Sequence, residues 1–288
     1  MKPFDVLLYG LVIFGWSTSW LPLKWQLGVV APEVSLMWRF LLASALMFLV
    51  TAISRQPLTI PWRQHWRLMG LGVFLFSCNF TLFYYGGLEA TSGLLAVVFS
   101  TASLINMFLM GVFFRQKPKA MMIIAGIFGF SGVGLMFAPE LSGGTTSFAS
   151  LLLCLSGTTV FCCGNLISSR AQHAGLPVMA ANSWGMMYGA IFLAMLSLVR
   201  GHGFTVEWTA PYLGGMVWLA VVSSVLAFTA YLALLGRIGP SRAGYATVIF
   251  PVGALLISTF VENYQWTGLA ILGLGFVVIG NVIMARLR

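Results

Sequence analysis

Trp16, Trp20 and Lys24 follow one another at intervals of four residues, a spacing that projects all three from one face of a helix. Two indole rings present an apolar surface and a cation-π face, and an ammonium one turn further on can meet a carboxylate. Asn79, Phe83 and Tyr84 fall at i, i+4 and i+5, and Phe99, Ser103 and Asn106 form a second stripe at helical spacing. Thr18 precedes Pro22 by four and Thr247 precedes Pro251 by four, so each proline withdraws the donor a helix would supply to that threonine carbonyl. Both places are candidate kinks or binding notches. Rings, amides, hydroxyls and freed carbonyls suit the holding of a small molecule. An enzyme would need an acid, base, nucleophile or metal set, and the polar stretches offer scattered Arg, isolated His and no H-x-x-E-like cluster. Binding without covalent chemistry is the expectation, with no catalytic residue, no metal and no cofactor.

These residues sit in a chain that is almost wholly apolar. Charged residues make up 7% of it, against about 25% in ordinary globular proteins, which excludes a typical soluble domain. Apolar stretches run roughly over 5–23, 34–53, 66–87, 92–114, 119–138, 148–169, 178–199, 211–235, 242–261 and 266–285. A hydrocarbon core takes about 20 residues per helical crossing, and a helix satisfies its own backbone in lipid. An all-α integral membrane protein of ten transmembrane helices is predicted, with little chain left for a soluble domain.

The remaining charges indicate how the chain is threaded. Glu33, Glu89, Glu140, Glu207 and Glu262 fall in alternate gaps between the apolar stretches, while Arg and Lys crowd the others. Cytoplasmic loops are enriched in Lys and Arg, so the basic gaps mark the inside. With the N terminus inside, of the 15 basic residues only Lys24, Arg39 and Arg200 lie outside or near it. An even helix count returns the C terminus to the same side, so both termini are expected in the cytoplasm. The net charge of +9 is then topological and calls for no nucleic acid. The first stretch is long enough to span and lacks a small-x-small cleavage pattern, so it reads as a helix and not as a signal peptide. Cys78, Cys154, Cys162 and Cys163 lie inside apolar stretches without metal-ligand spacing and read as small apolar fillers.

The chain also resembles itself. A shift of 148 places Ser103 on Pro251, Gln116 on Tyr264, Gly132 on Gly280 and Met136 on Met284, and a shift of 145 or 146 places Pro32 on Pro177 and Lys24 on Arg170. Residues 1–140 and 148–288 therefore read as two five-helix repeats. Five is odd, so the second half enters the membrane from the opposite side, which makes the repeat inverted about an axis in the membrane plane. Inverted repeats hold a substrate near their interface and suit alternating access around a central cavity.

Gly15-Trp16-Ser17 with Lys24 near the outer end of the first segment, Pro251-Val252 in the ninth, and Gly273-Leu274-Gly275 through Gly280 in the tenth carry a family resemblance. The chain resembles the drug/metabolite transporter superfamily, in its ten-helix EamA-type branch, over essentially its whole length. Trp16-Ser17-Thr18 is similar to a run in the bacterial aromatic amino-acid exporter group. The resemblance implies a carrier in a bacterial inner membrane that exports amino acids. Family members often carry a Glu before the ninth-segment Pro and end that segment in Gly-Glu; here Phe250 and Asn263-Tyr264 stand there, with Glu262 displaced. Carboxylate-dependent coupling is therefore not carried over.

The expected substrate-binding set is Trp16, Ser17, Trp20, Lys24, Asn79, Phe83, Tyr84, Phe99, Ser103, Thr247 and Pro251. Ser and Thr in membrane helices also serve as packing contacts, and Trp62, Trp66, Trp208, Trp266 and Tyr264 read as interfacial anchors. Lys24 and Arg39 either snorkel to the interface or, for Lys24, pair with Glu33, Glu89 or a substrate carboxylate. Phosphorylated solutes would need several cations and are disfavoured. Amino acids and flat organic cations both suit aromatic rings with neutral hydrogen-bonding groups, so a proton-coupled exporter of lipophilic cations is the alternative. The other expected partner is the lipid bilayer. The glycines of segments five and ten suit packing within a monomer or between protomers, which leaves oligomeric state open.

Overall fold

The first apolar stretch does not fold as one rod. In the computed structural model, which describes residues 3–113, 120–144, 146–238, 243 and 246–286, α1 (Pro3–Ser17) stops and α2 (Trp20–Lys24) resumes after a short turn. Pro22 is the cause, since its ring collides with the Thr18 carbonyl and supplies it no donor. Hydroxyls satisfy the last carbonyls of α1: Thr18 Oγ1 donates to Phe14 O at 2.8 Å, and Ser19 Oγ donates to Gly15 O.

Every regular element among the described residues is helical. α3 (Pro32–Ile53) follows, and then α4 (His65–Val73) and α5 (Asn79–Gly86), joined through a π-helical turn at Phe74–Cys78. α6 (Ser92–Ser100) and α7 (Ala102–Phe113) are separated at Thr101. After α8 (Ala120–Ser142), α9 (Phe148–His173) and α10 (Val178–Val199), α11 (Ala210–Trp218) runs through a second π-helical stretch, Leu219–Ala227, into α12 (Phe228–Ile238). α13 (Ala246–Val261) and α14 (Gly268–Arg286) complete the chain. Seven helical runs are long and apolar enough to cross a membrane, and three shorter apolar helices, Ser92–Asn106, Ile249–Val261 and Gly268–Ile283, accompany them.

The surface these helices present is what lipid requires. Phe4, Leu7, Phe14, Ile53, Val199 and Phe260 are all exposed, a density of apolar side chains that water would not tolerate. Trp62, Trp66 and Trp208 are exposed as anchors should be. Tyr264 is not: it is 5% exposed and packs edge-on against Trp266. A ring beside a loop finds cover when its neighbour folds over it, and spacing alone does not show that.

Inside, helices associate pairwise. α3 lies along α10, α8 along α14, α6 along α13, α5 along α9, and α1 along the second π-helical stretch. In the α8–α14 pair glycine faces glycine. A Cβ on Gly132 would stand 2.5 Å from the Gly273 carbonyl oxygen, and one on Gly280 would stand 2.7 Å from Gly129 N. These glycines pack within the chain, backbone on backbone, as small residues allow in membranes. Between α3 and α10, Ser44 Oγ donates to Ser183 O at 3.0 Å.

Carboxylates close the helix ends. Glu262 accepts from Ser92 N at 3.0 Å, from Ser92 Oγ and from Ser258 Oγ at 2.7 Å, so it caps α6 from the end of α13. Glu89 accepts from Ser147 N at 2.8 Å, just before α9, and hydrogen bonds from Ser147 hold its carboxyl below the usual carboxylate range. A depressed carboxyl stabilises the fold above its unfolded pKa, and that contribution is lost as pH falls through the folded value. Glu262→Ala removes a negatively charged cap and leaves buried donors without an acceptor. It is expected to destabilise the protein by about 1–2 kcal/mol, read as an earlier thermal transition in detergent.

Candidate functional site

The break between α1 and α2 does more than interrupt a helix. It turns Trp16 and Trp20 into the same interior space, where both are nearly buried. Trp16 stands 4.9 Å from the Tyr231 ring, 5.5 Å from Phe228, 5.7 Å from Phe250 and 5.8 Å from Phe99, centre to centre. Trp20 lies 5.3 Å from Phe83 and 5.6 Å from Phe99, and nearly parallel to Phe250 at 6.1 Å. Edge-to-face and offset arrangements of this kind stabilise ring pairs beyond their burial.

A cavity opens beside this ring system. Trp16, Ser19, Trp20 and Leu23 line it from the broken first helix, Arg39 from α3, Phe80 and Phe83 from α5 and Phe99 from α6. Leu219 and Ser223 of the second π-helical stretch and Phe228 of α12 complete the wall. Its volume of about 30 Å³ is room for roughly two water molecules, far below the ~300 Å³ at the lower end of small-molecule sites. A drug-sized solute does not fit this cavity as it stands.

Arg39 is the one charged group in the lining. It is 1% exposed, on α3, with its Nε 3.2 Å from Ser224 Oγ and its Nη2 3.1 Å from the same oxygen and 3.4 Å from Ser223 Oγ. The wide turn of a π-helix places these two successive serines toward it, a local irregularity common at functional sites. The Phe80 ring covers the guanidinium at 4.5 Å and Phe40 at 5.0 Å. Nη1 has no hydrogen-bond partner within 3.5 Å, and the Tyr84 hydroxyl is a further polar group that interacts with the guanidinium.

No Asp or Glu lines the cavity, and Arg39 makes no ion pair among the described residues. Glu33, on the same helix, is engaged elsewhere: Arg200 pairs with it and Tyr85 OH donates to it at 2.9 Å. Asp5 pairs with Arg237 at 2.8 Å. A buried cation without a counter-ion costs several kcal/mol, so Arg39 is electrostatically unfinished.

Of the eleven residues expected from the sequence, Trp16, Trp20, Phe83 and Phe99 meet at the cavity. Pro251 is buried within α13 and outside the lining. Ser17 Oγ donates to Phe250 O at 3.0 Å and so ties α1 to α13. Lys24 donates to the carbonyls of Gly87 and Ala90, and Ser103 donates to Asn281 Oδ1. Tyr84 is wholly buried outside the lining and interacts with Arg39, and Asn79 is wholly buried outside the lining with its amide unpartnered. The Thr247 side chain lies outside the described residues.

Sequence reasoning missed Arg39, Phe80, Ser223 and Phe228. It let Arg39 snorkel to the interface, whereas α3 buries it against α5 and the second π-helical stretch. A signal was there: an Arg between Trp38 and Phe40 in an apolar run is by default a functional candidate. No group of three or more His, Cys, Asp or Glu among the described residues could hold a metal.

A helical bundle with a lipid-suited surface and a ring-lined interior cavity defines a multi-pass membrane protein. Sequence comparison agrees with that class, and the profile of the EamA-like transporter family matches residues 4–138 and again 148–286. The chain belongs to the EamA-like transporter family and is a membrane transporter. It is 24% identical over 264 residues to an uncharacterized transporter of Buchnera aphidicola subsp. Schizaphis graminum, covering 90% of this chain and 85% of that protein. It is 23% identical over 299 residues to a probable amino-acid metabolite efflux pump of Salmonella typhimurium, covering 99% of this chain and 96% of that protein. A solved crystal structure shares the fold with a TM-score of 0.72 at 15% identity, covering 98% of this chain and 96% of the other.

Proposed function

We propose that the protein exports amino acids, including large apolar and aromatic ones, from the cytoplasm across a bacterial inner membrane by alternating access. The observation that carries this reading is the cavity itself, walled by Trp16, Trp20, Phe83 and Phe99 on one side of the sequence and by Phe228 on the other. Such a wall matches an apolar side chain by area and ring geometry. The efflux-pump relative supports the substrate class and the direction.

Two five-helix halves, 1–140 and 148–288, rock about this cavity in our reading, giving ten crossings with both termini in the cytoplasm. The two family matches support the division. So do the π-helical turns: a shift of 148 lays residues 74–78 onto 222–226, inside the second π-helical stretch. The helix pairing also supports it, since the shift that carries α5 onto α12 relates the α5–α9 pair to the α1–α12 pair. A lining without a carboxylate weighs against a proton-coupled exporter of cations.

The test is counterflow of radiolabelled phenylalanine, leucine, threonine and lysine into proteoliposomes. Uptake of the first two well above that of protein-free liposomes is expected. Uptake equal to the protein-free control for all four would remove the proposal.

A further inference from the structure

We infer that the cavity recognises its substrate through a carboxylate and not through an ammonium, so that aromatic and apolar monocarboxylates are substrates with or without an α-amino group. This rests on the reading of the cavity as the substrate site. Arg39 is the only charge in the lining, its Nη1 is buried without a hydrogen-bond partner, and its other nitrogens are held in place by Ser223 and Ser224. A guanidinium so fixed presents a planar edge that matches a carboxylate. The two carboxylates nearest in role are occupied, Glu33 by Arg200 and Tyr85, and Asp5 by Arg237. A carboxylate that enters the cavity therefore supplies the missing counter-ion.

An ammonium finds the opposite. No acidic side chain lines the cavity to receive it, and in a low-dielectric site Arg39 repels it. Of the lining rings, Phe80 is already covered by Arg39 itself, and a cation-π contact to the others supplies no opposite charge against that repulsion. Lys24 is no second carboxylate receptor in this cavity, because it lies outside the lining and its ammonium donates to the carbonyls of Gly87 and Ala90. The chain thus reads one end of a zwitterion and its apolar body, and leaves the other end unread.

The experiment is inhibition of radiolabelled phenylalanine counterflow by 3-phenylpropionate and by phenethylamine, which keep the ring and one end each. The acid is expected to inhibit within about threefold of unlabelled phenylalanine, and the amine at least roughly tenfold more weakly. Arg39→Gln should erase the preference, and Arg39→Lys, which keeps the charge, should retain its order; both are checked for folding by size exclusion and circular dichroism. An amine as potent as the acid on the wild-type protein overturns the inference, as does a folded Arg39→Gln with the preference intact. Should Arg39→Gln not fold, the wild-type ratio and Arg39→Lys decide. Wild-type protein without phenylalanine counterflow would remove the amino-acid reading alone. Quenching of tryptophan fluorescence in detergent by 3-phenylpropionate against phenethylamine then tests the carboxylate: binding of the acid alone supports it, and any other result overturns it.

Discussion

Trp16→Ala is expected to lower phenylalanine counterflow by at least roughly tenfold, the loss that about 1.4 kcal/mol represents, and to destabilise the protein by about 3–5 kcal/mol. The indole lies at the centre of rings from four other helical runs, Phe99, Phe161, Phe228 with Tyr231, and Phe250. Alanine leaves a void that these rings cannot fill without leaving their own contacts. It also removes the wall shared by the cavity and the interior. Trp16→Phe keeps a ring and should lose less of both. Thermal unfolding in detergent reads the first effect and counterflow the second; a Trp16→Ala protein with wild-type values in both would sink the assignment of Trp16 as the hub.

Gly132→Leu should prevent accumulation of folded protein. A side chain there meets the Gly273 carbonyl oxygen at 2.5 Å and Val277 N at 2.7 Å. Both obstacles are backbone, so no rotamer change relieves them. The cost is expected at or above the roughly 3 kcal/mol that tops the usual range for overpacking. Gly126→Leu, on the same helix, supplies the contrast, because nothing stands within 4 Å of a Cβ there. It should express and elute like the wild type, and equal behaviour of the two variants would show that α8 and α14 do not meet as described.

Much of the fold was legible because lipid imposes a coarse code. A helix in hydrocarbon must be long and apolar, so the stretches around residues 34–53, 148–169 and 178–199 announce α3, α9 and α10 nearly to their ends. Proline acts through local geometry, and Pro22 accordingly foretold the break that separates α1 from α2. The π-helical turns left no such trace. Phe74–Cys78 and Leu219–Ala227 read as ordinary apolar helix, since one extra residue per turn alters direction and not composition.

The site divides along the same line. Helical spacing brought Trp16 and Trp20 onto one face and marked Phe83 and Phe99 as members of ring-bearing stripes, and these four meet at the cavity. The same spacing gave Lys24 and Ser103 equal standing, and neither reaches the lining. Sequence by itself determined which segments form long apolar helices, where the first helix breaks and that aromatic side chains would dominate the interior, because those follow from each segment and its solvent. Only the tertiary structure decided that Arg39 points inward unpaired while Lys24 is tied to carbonyls. A charge on an apolar helix can snorkel, pair or face a cavity, and which of these it does depends on what neighbouring helices bring to it.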